Sequence, residues 1–290
     1  MNHSNWKIPI AIVIASIFVT AIISPLRGID LGFDPVYMSS FVGFFGYFAF
    51  TYFACKMYEK VLRPSLIFKM VLLGILIVQV PIRIISPIGT LATLPDFIIH
   101  VLGIIFGYLF YRKKMSLKVA IIAGLLIYGV GMLGTRALRN TIYFNNAWGT
   151  VSPRKVSNFM MKDEHGTNHF LNQFKGTYLI LDCWYDGCGV CFHEFPEFQK
   201  VYKSYSSDKN MAFFALNVPY KESGKDPYRL IREEGYSFPV LKMSNINSTK
   251  ELEIKVFPTI LIFNPNSQLI FRGDLDDAKR LIKRISKKDI

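Results

Sequence analysis

The chain has 290 residues, of which 51% are hydrophobic and 15% aromatic, and its mean hydropathy is +0.28. That composition excludes an ordinary soluble enzyme, while 19% charged residues, 14 Pro and 20 Gly exclude a disordered, low-complexity or fibrous chain. The net charge of +13 is shared unevenly, +9 in residues 1–150 and +4 in 151–290, so the cations accompany the apolar half and fit membrane flanks rather than nucleic acid.

Five apolar stretches come first: Ile8 to Ile23, Met38 to Cys55, Leu66 to Ile85, Phe97 to Tyr111 and Val119 to Leu133. The first reads as an uncleaved anchor, because no small-x-small cleavage site follows it and Pro25 and Arg27 come directly after. Residues 1–140 are therefore expected to form an all-α transmembrane domain of about five helices, in contact with membrane lipid. Lys and Arg beside short loops stay on the cytoplasmic side. With the N-terminus inside, Lys7, Lys56, Lys60, Arg63, Lys69, Arg112, Lys113, Lys114 and Lys118 face the cytoplasm, against Arg27, Arg83, Arg136 and Arg139 outside. An odd number of spans then puts everything after residue 135 on the extracytoplasmic side of a bacterial cytoplasmic membrane.

Residues 141–155 read as a linker, and the pattern changes from about Val156. Asn158 to Lys162 and Thr167 to Phe170, around Asp163-Glu164-His165-Gly166, predict a hairpin. Strands are expected at Tyr178 to Trp184, Met211 to Val218, Phe238 to Leu241, Thr259 to Phe263 and Gln268 to Phe271. Helices are expected from about Cys188 to Tyr205, Pro227 to Glu234 and Leu275 to Ser286. This order predicts an α/β layer fold over 156–290.

The chemistry concentrates in Trp184-Tyr185-Asp186-Gly187-Cys188-Gly189-Val190-Cys191, where a buried strand turns into a helix. Exposed amides and the positive dipole end at a helix N-terminus stabilise thiolate, which makes Cys188 the nucleophile. Cys191, one turn further in, is close enough to close a disulfide and shielded enough to resolve a mixed one.

From about Val156 to Ser286 the chain resembles the TlpA-like and ResA-like extracytoplasmic thioredoxin-fold oxidoreductases. The matching pieces are Phe174-Lys175-Gly176, Trp184 four residues before the first cysteine, Cys191-x-x-Glu194-x-Pro196, Ala215-Leu216-Asn217-Val218, and Val256-Phe257-Pro258-Thr259 before Ile260-Leu261-Ile262-Phe263. Gly187 departs from the usual Trp, Cys183 from a common aromatic, and the inter-cysteine pair is Gly-Val. The resemblance implies a thioredoxin-like domain with a central mixed sheet, and a redox-active pair Cys188–Cys191 that exchanges disulfides with a protein substrate. It also implies a cis-proline loop at Pro258 facing that pair, and a partly buried Glu194 exchanging protons with the thiols; the alternative for Glu194 is a solvent-facing helix position. Phe257, Pro258 and Thr259 are expected to bind substrate, and Trp184 to border them or pack beneath the loop. Reductive turnover is the family's commoner direction and implies a separate transmembrane dithiol reductase as electron donor.

Cys183 is expected on the opposite face from Trp184 as a small core residue, and Cys55 stands without a second cysteine among the spans. No metal or cofactor is expected, since a copper carrier of this fold would have a wider cysteine spacing and a downstream His, and none of the five histidines lies beyond His193. A peroxidatic site is disfavoured because no Pro-x-x-x-Thr-x-x-Cys precedes Cys188. The competing reading is a membrane transport or binding protein whose soluble half is a docking or metal-delivery module. His100 within a span is a functional candidate, and the cations of 278–288 read as a solvated helix face that can also meet anionic headgroups.

Overall fold

A computed structural model describes residues 6–24, 35–220 and 224–287; Arg27, His3 and Lys288 lie outside them. The chain divides into two compact units, Met1–Arg139 and Asn140–Ile290.

The first unit is helical, with α1 Lys7–Ile23, α2 Pro35–Tyr58, α3 Pro64–Ile85, a short α4 Pro87–Leu91, α5 Leu94–Tyr111 and α6 Leu117–Phe144, which runs on into the second unit. Four of these, α2, α3, α5 and α6, are long and apolar enough to cross a membrane, while α1 is apolar but only 17 residues long. Five apolar helices were expected, and among the described residues α1 joins the four longer ones, its 17 residues being at the lower end of what a span requires.

Small residues let the backbones of α2 and α5 touch: a Cβ at Gly103 would lie 2.4 Å from the Phe44 carbonyl oxygen, and one at Gly107 2.3 Å from that of Phe48. His100 is buried between these helices, its Nε2 3.3 Å from Asp96 Oδ1 and 3.1 Å from the Ser39 carbonyl oxygen. Ser40 Oγ donates to Asp96 at 2.6 Å.

The second unit is built on one sheet. Its strands are β1 Thr150–Lys155, β2 Met160–Lys162, β3 Asn168–Phe170, β4 Tyr178–Trp184, β5 Met211–Asn217, β6 Val240–Met243, β7 Thr259–Phe263 and β8 Gln268–Gly273. A 3-10 turn at Leu171–Phe174 and helices α7 Gly189–Tyr205, α8 Pro227–Glu233, α9 Ser248–Glu251 and α10 Leu275–Ser286 complete it. The order across the sheet is β1-β8-β7-β4-β5-β6-β2-β3, with β4 parallel to β5 and antiparallel to β7. β4 is a near-continuous apolar run because both its faces are covered. Ile180 and Trp184 enter the core shared with α7 and α10, and Leu179, Leu181 and Cys183 the core on the other face. Cys183 thus takes the core position expected of it.

Two readings of the sequence are corrected here. Residues 141–155 are not a free linker: α6 continues to Phe144, and β1 pairs antiparallel with β8 as the edge strand. Thr-Val-Ser-Pro-Arg-Lys lacks the alternation of a half-buried strand, and its Pro153 is tolerated because an edge strand leaves one row of amides unpaired. The strand expected at 238–241 begins two residues later. Phe238 is taken up by an aromatic cluster with Phe195 and Phe198, and Pro239 has no amide to give a ladder.

Candidate active site

β4 ends at Trp184, and four residues later Cys188 becomes the N-cap of α7. The two cysteines form a disulfide with S–S 2.01 Å and Cα–Cα 5.3 Å. Cys188 Sγ accepts the Cys191 amide at 3.2 Å, so the sulfur takes one of the N–H groups that a helix start leaves unpaired. Cys188 is 4% exposed and Cys191 fully buried, with Val190, 66% exposed, between them.

The Phe257–Pro258 peptide bond is cis, as the resemblance implied. Thr259 starts β7, pairs with Cys183 across to β4, and donates its hydroxyl to the Val256 carbonyl at 2.6 Å. Its side chain is buried, whereas Phe257 and Pro258 are half-exposed. Phe257 meets Tyr185 and Tyr220 edge-on or tilted at 5.2 and 5.4 Å, and those two tyrosines meet each other at 5.3 Å. Trp184 is fully buried, edge-on to Phe192 and Phe195, which places it beneath the cysteine loop and away from the surface.

Glu194 lies one turn after Cys191. Its side chain is half-buried and its Oε1 is shielded from solvent without a hydrogen bond among the described residues. Burial, then the charges of Asp182, Asp274 and Asp276, push its pKa well above the carboxylate range, and Lys279 offsets this in part. Asp182 is fully buried in β4, its side chain directed to the same face as Trp184 two residues on. Neither of its carboxyl oxygens is hydrogen-bonded among the described residues, and burial raises its pKa from 3.8 to about 7. Burial and the Asp182 charge also push the Cys183 thiol well up, which keeps it protonated and inert.

Asp182, Tyr185 and Tyr220 were not singled out from the sequence. For Asp182 the signal was present, since a carboxylate inside Tyr-Leu-Ile-Leu-Asp-Cys-Trp contradicts a strand buried on both faces unless it has a task. The tyrosines carried none, because their meeting with Phe257 is made by three separate loops.

A Cys-x-x-Cys disulfide at a helix start and a cis-proline just before the strand β7 that pairs with β4, on a mixed sheet, define a thioredoxin-fold thiol–disulfide oxidoreductase. Residues 153–272 match the AhpC/TSA family. The chain is 25% identical over 162 residues to the thiol-disulfide oxidoreductase ResA of Bacillus subtilis (strain 168), covering 56% of this chain and 82% of that protein. It is equally similar, 25% over 162 residues, to the ResA of Halalkalibacterium halodurans, covering 55% and 85%. Among solved structures, StoA from Bacillus subtilis aligns at 24% identity with a TM-score of 0.37, covering 44% of this chain and 96% of that one.

Proposed function

We propose that this oxidoreductase reduces protein disulfides on the extracytoplasmic side of a bacterial cytoplasmic membrane. All five apolar helices cross that membrane, α1 included because its 17 residues meet the lower limit of a span, with the N-terminus in the cytoplasm, following the cation asymmetry. The observation that supports the thiol chemistry best is the unequal placement of the two sulfurs. Cys188 caps α7 at the rim, while Cys191 is enclosed.

In the proposed cycle the Cys188 thiolate attacks a substrate disulfide, forming a mixed disulfide and releasing one substrate sulfur as thiolate. Cys191 then loses its proton and attacks Cys188, freeing the second substrate sulfur. Two electrons pass to the substrate, and the enzyme is left with the Cys188–Cys191 bond present in the structure. A transmembrane dithiol reductase resets it. Phe257 and Pro258 offer the substrate a half-exposed edge, Thr259 fixes that loop, and Trp184 supports the cysteine loop from below. Glu194, with Asp182, exchanges the Cys191 proton.

Equilibrating the full-length protein in lipid nanodiscs against thiol redox buffers tests the direction. A reduction potential near that of thioredoxin, roughly −270 mV, is expected, whereas a value near −120 mV would mark an oxidant. Labelling of reduced spheroplasts with an impermeant maleimide tests sidedness, with Cys188 tagged before lysis.

A further inference from the structure

The end of α6 is fastened to α10 within the second unit. Asn140 Nδ2 donates to Asp277 Oδ2 at 2.9 Å, and the Phe144 carbonyl accepts from Arg272 Nε and Nη2 at 3.1 and 2.8 Å. Counted from Val119, the first residue after Lys118, twenty helical residues at about 1.5 Å each cross a hydrocarbon layer of about 30 Å and end at Leu138. By that count Asn140, the partner of Asp277, is the second residue beyond the hydrocarbon. Trp148 follows only four residues after α6 ends.

Beside Asp277 the second unit presents an excess of cations. α10 buries Ala278, Leu281, Ile282 and Ile285 in the core, which turns Arg280, Lys283, Arg284 and Lys287 outward. These four cations and Trp148, 55% exposed, line a groove of about 500 Å³. Asp277, the acidic residue of the groove, is 1% exposed and already engaged by Asn140 and Arg280.

A groove of guanidinium and ammonium groups with an exposed indole at its rim matches a phosphoryl group at a membrane surface. Arg forks bind phosphate oxygens, polybasic surfaces are drawn to anionic leaflets, and Trp concentrates where water meets lipid. We propose that this groove binds the headgroup of an anionic phospholipid, docking the oxidoreductase domain on the membrane through α10 and Trp148. The inference rests on α6 crossing the membrane and is independent of the redox reading. A soluble acidic protein fits the charges equally well, but the short chain between the counted end of the span at Leu138 and the Asn140–Asp277 bond favours lipid, because a membrane surface is always within reach.

The test uses the full chain in nanodiscs of phosphatidylcholine alone or mixed with phosphatidylglycerol, with bromine on the lipid chains as a contact quencher. Trp6 is also exposed, so the Trp148 signal is taken as the difference between wild type and Trp148→Phe. Quenching of Trp148 is expected in the phosphatidylglycerol discs, with loss in pure phosphatidylcholine and in about 1 M salt, where screening shortens to about 3 Å. It is also expected to be lost in the Arg280→Gln/Lys283→Gln/Arg284→Gln/Lys287→Gln variant, which retains thiol exchange because none of the four touches the cysteine site. Quenching independent of phosphatidylglycerol, or unchanged in the fourfold variant, overturns the proposal. A chain that fails to co-elute with the discs refutes the span itself and this inference with it, while loss of thiol exchange in wild type refutes only the proposed function.

Discussion

Replacing Asp182 by Asn should stabilise the oxidised protein, and by an amount that grows with pH. The carboxyl is fully buried, both oxygens are without a hydrogen bond among the described residues, and burial moves its pKa from 3.8 to about 7. Below pH 4 folded and unfolded chains both carry the proton, and the residue costs nothing through ionisation. Between pH 4 and 7 the unfolded chain ionises while the folded one does not, so wild-type stability falls as pH rises and levels off above 7. The shift of about three units corresponds to about 4 kcal/mol at pH 8, and a fraction of 1 kcal/mol at pH 4. For a domain of roughly 150 residues that is about 8–16 °C in melting temperature at pH 8. Removing the charge also relieves Glu194, whose pKa Asp182 raises. The assay is thermal unfolding of the full-length protein in detergent, disulfide intact, followed by Trp184 fluorescence from pH 4 to 8. A difference between variant and wild type that stays constant with pH, or a destabilised variant at pH 8, would refute the assignment of a buried ionising carboxyl.

Cys191→Ser should retain the first attack and stall as a mixed disulfide, seen as a thiol-sensitive mass shift on gels, whereas Cys188→Ser should give no adduct and no turnover. Glu194→Gln is expected to slow disulfide exchange by about 10²-fold and to flatten its pH profile, measured by stopped-flow Trp fluorescence. Arg272→Met leaves the Phe144 carbonyl and Glu253 without the guanidinium that binds both, Glu253 at 2.8 Å, and should destabilise the second unit by about 3 kcal/mol in chemical denaturation. Gly103→Leu drives a side chain into the Phe44 carbonyl and should lower the detergent melting temperature of the helical unit by separating α2 from α5, while substitution at the open Gly129 should not.

How far the sequence could be read follows from which signals are local. β4, α7, β7 and α10 were legible to within a residue or two because each combines a run or period of apolar residues with a cap or turn: Cys188 before α7, Asp274 before α10, Asn264-Pro265-Asn266-Ser267 between β7 and β8. β1 was illegible because an edge strand is defined by its partner, here β8, and owes little to its own composition. The end of α6 was misjudged for a related reason: past Leu133 its turns are held by Asp277 and Arg272, more than a hundred residues away. In the site, the cysteine pair and Pro258 were visible as spacing. The aromatic cluster of Tyr185, Tyr220 and Phe257 was not, since no periodicity joins a strand end, a loop and a proline turn.

The two buried carboxyls also bear on how the enclosed thiol can react. In the proposed cycle Cys191, which is fully buried, has to lose a proton before it attacks Cys188. A thiol of pKa about 8.5 passing its proton to an ordinary Asp of about 3.9 goes uphill by about 6 kcal/mol; an acceptor at about 7 reduces this to about 2 kcal/mol. Asp182 has that value because of its burial, so the group that weakens the fold at neutral pH is also the one matched to the proton it would take. Glu194, pushed well above the carboxylate range by burial and then by the charges of Asp182, Asp274 and Asp276, would in the proposed cycle hold its proton and favour donation to a departing sulfur. An acceptor and a donor set apart by their surroundings give the pair a means of running the exchange in both halves of the cycle without bulk water.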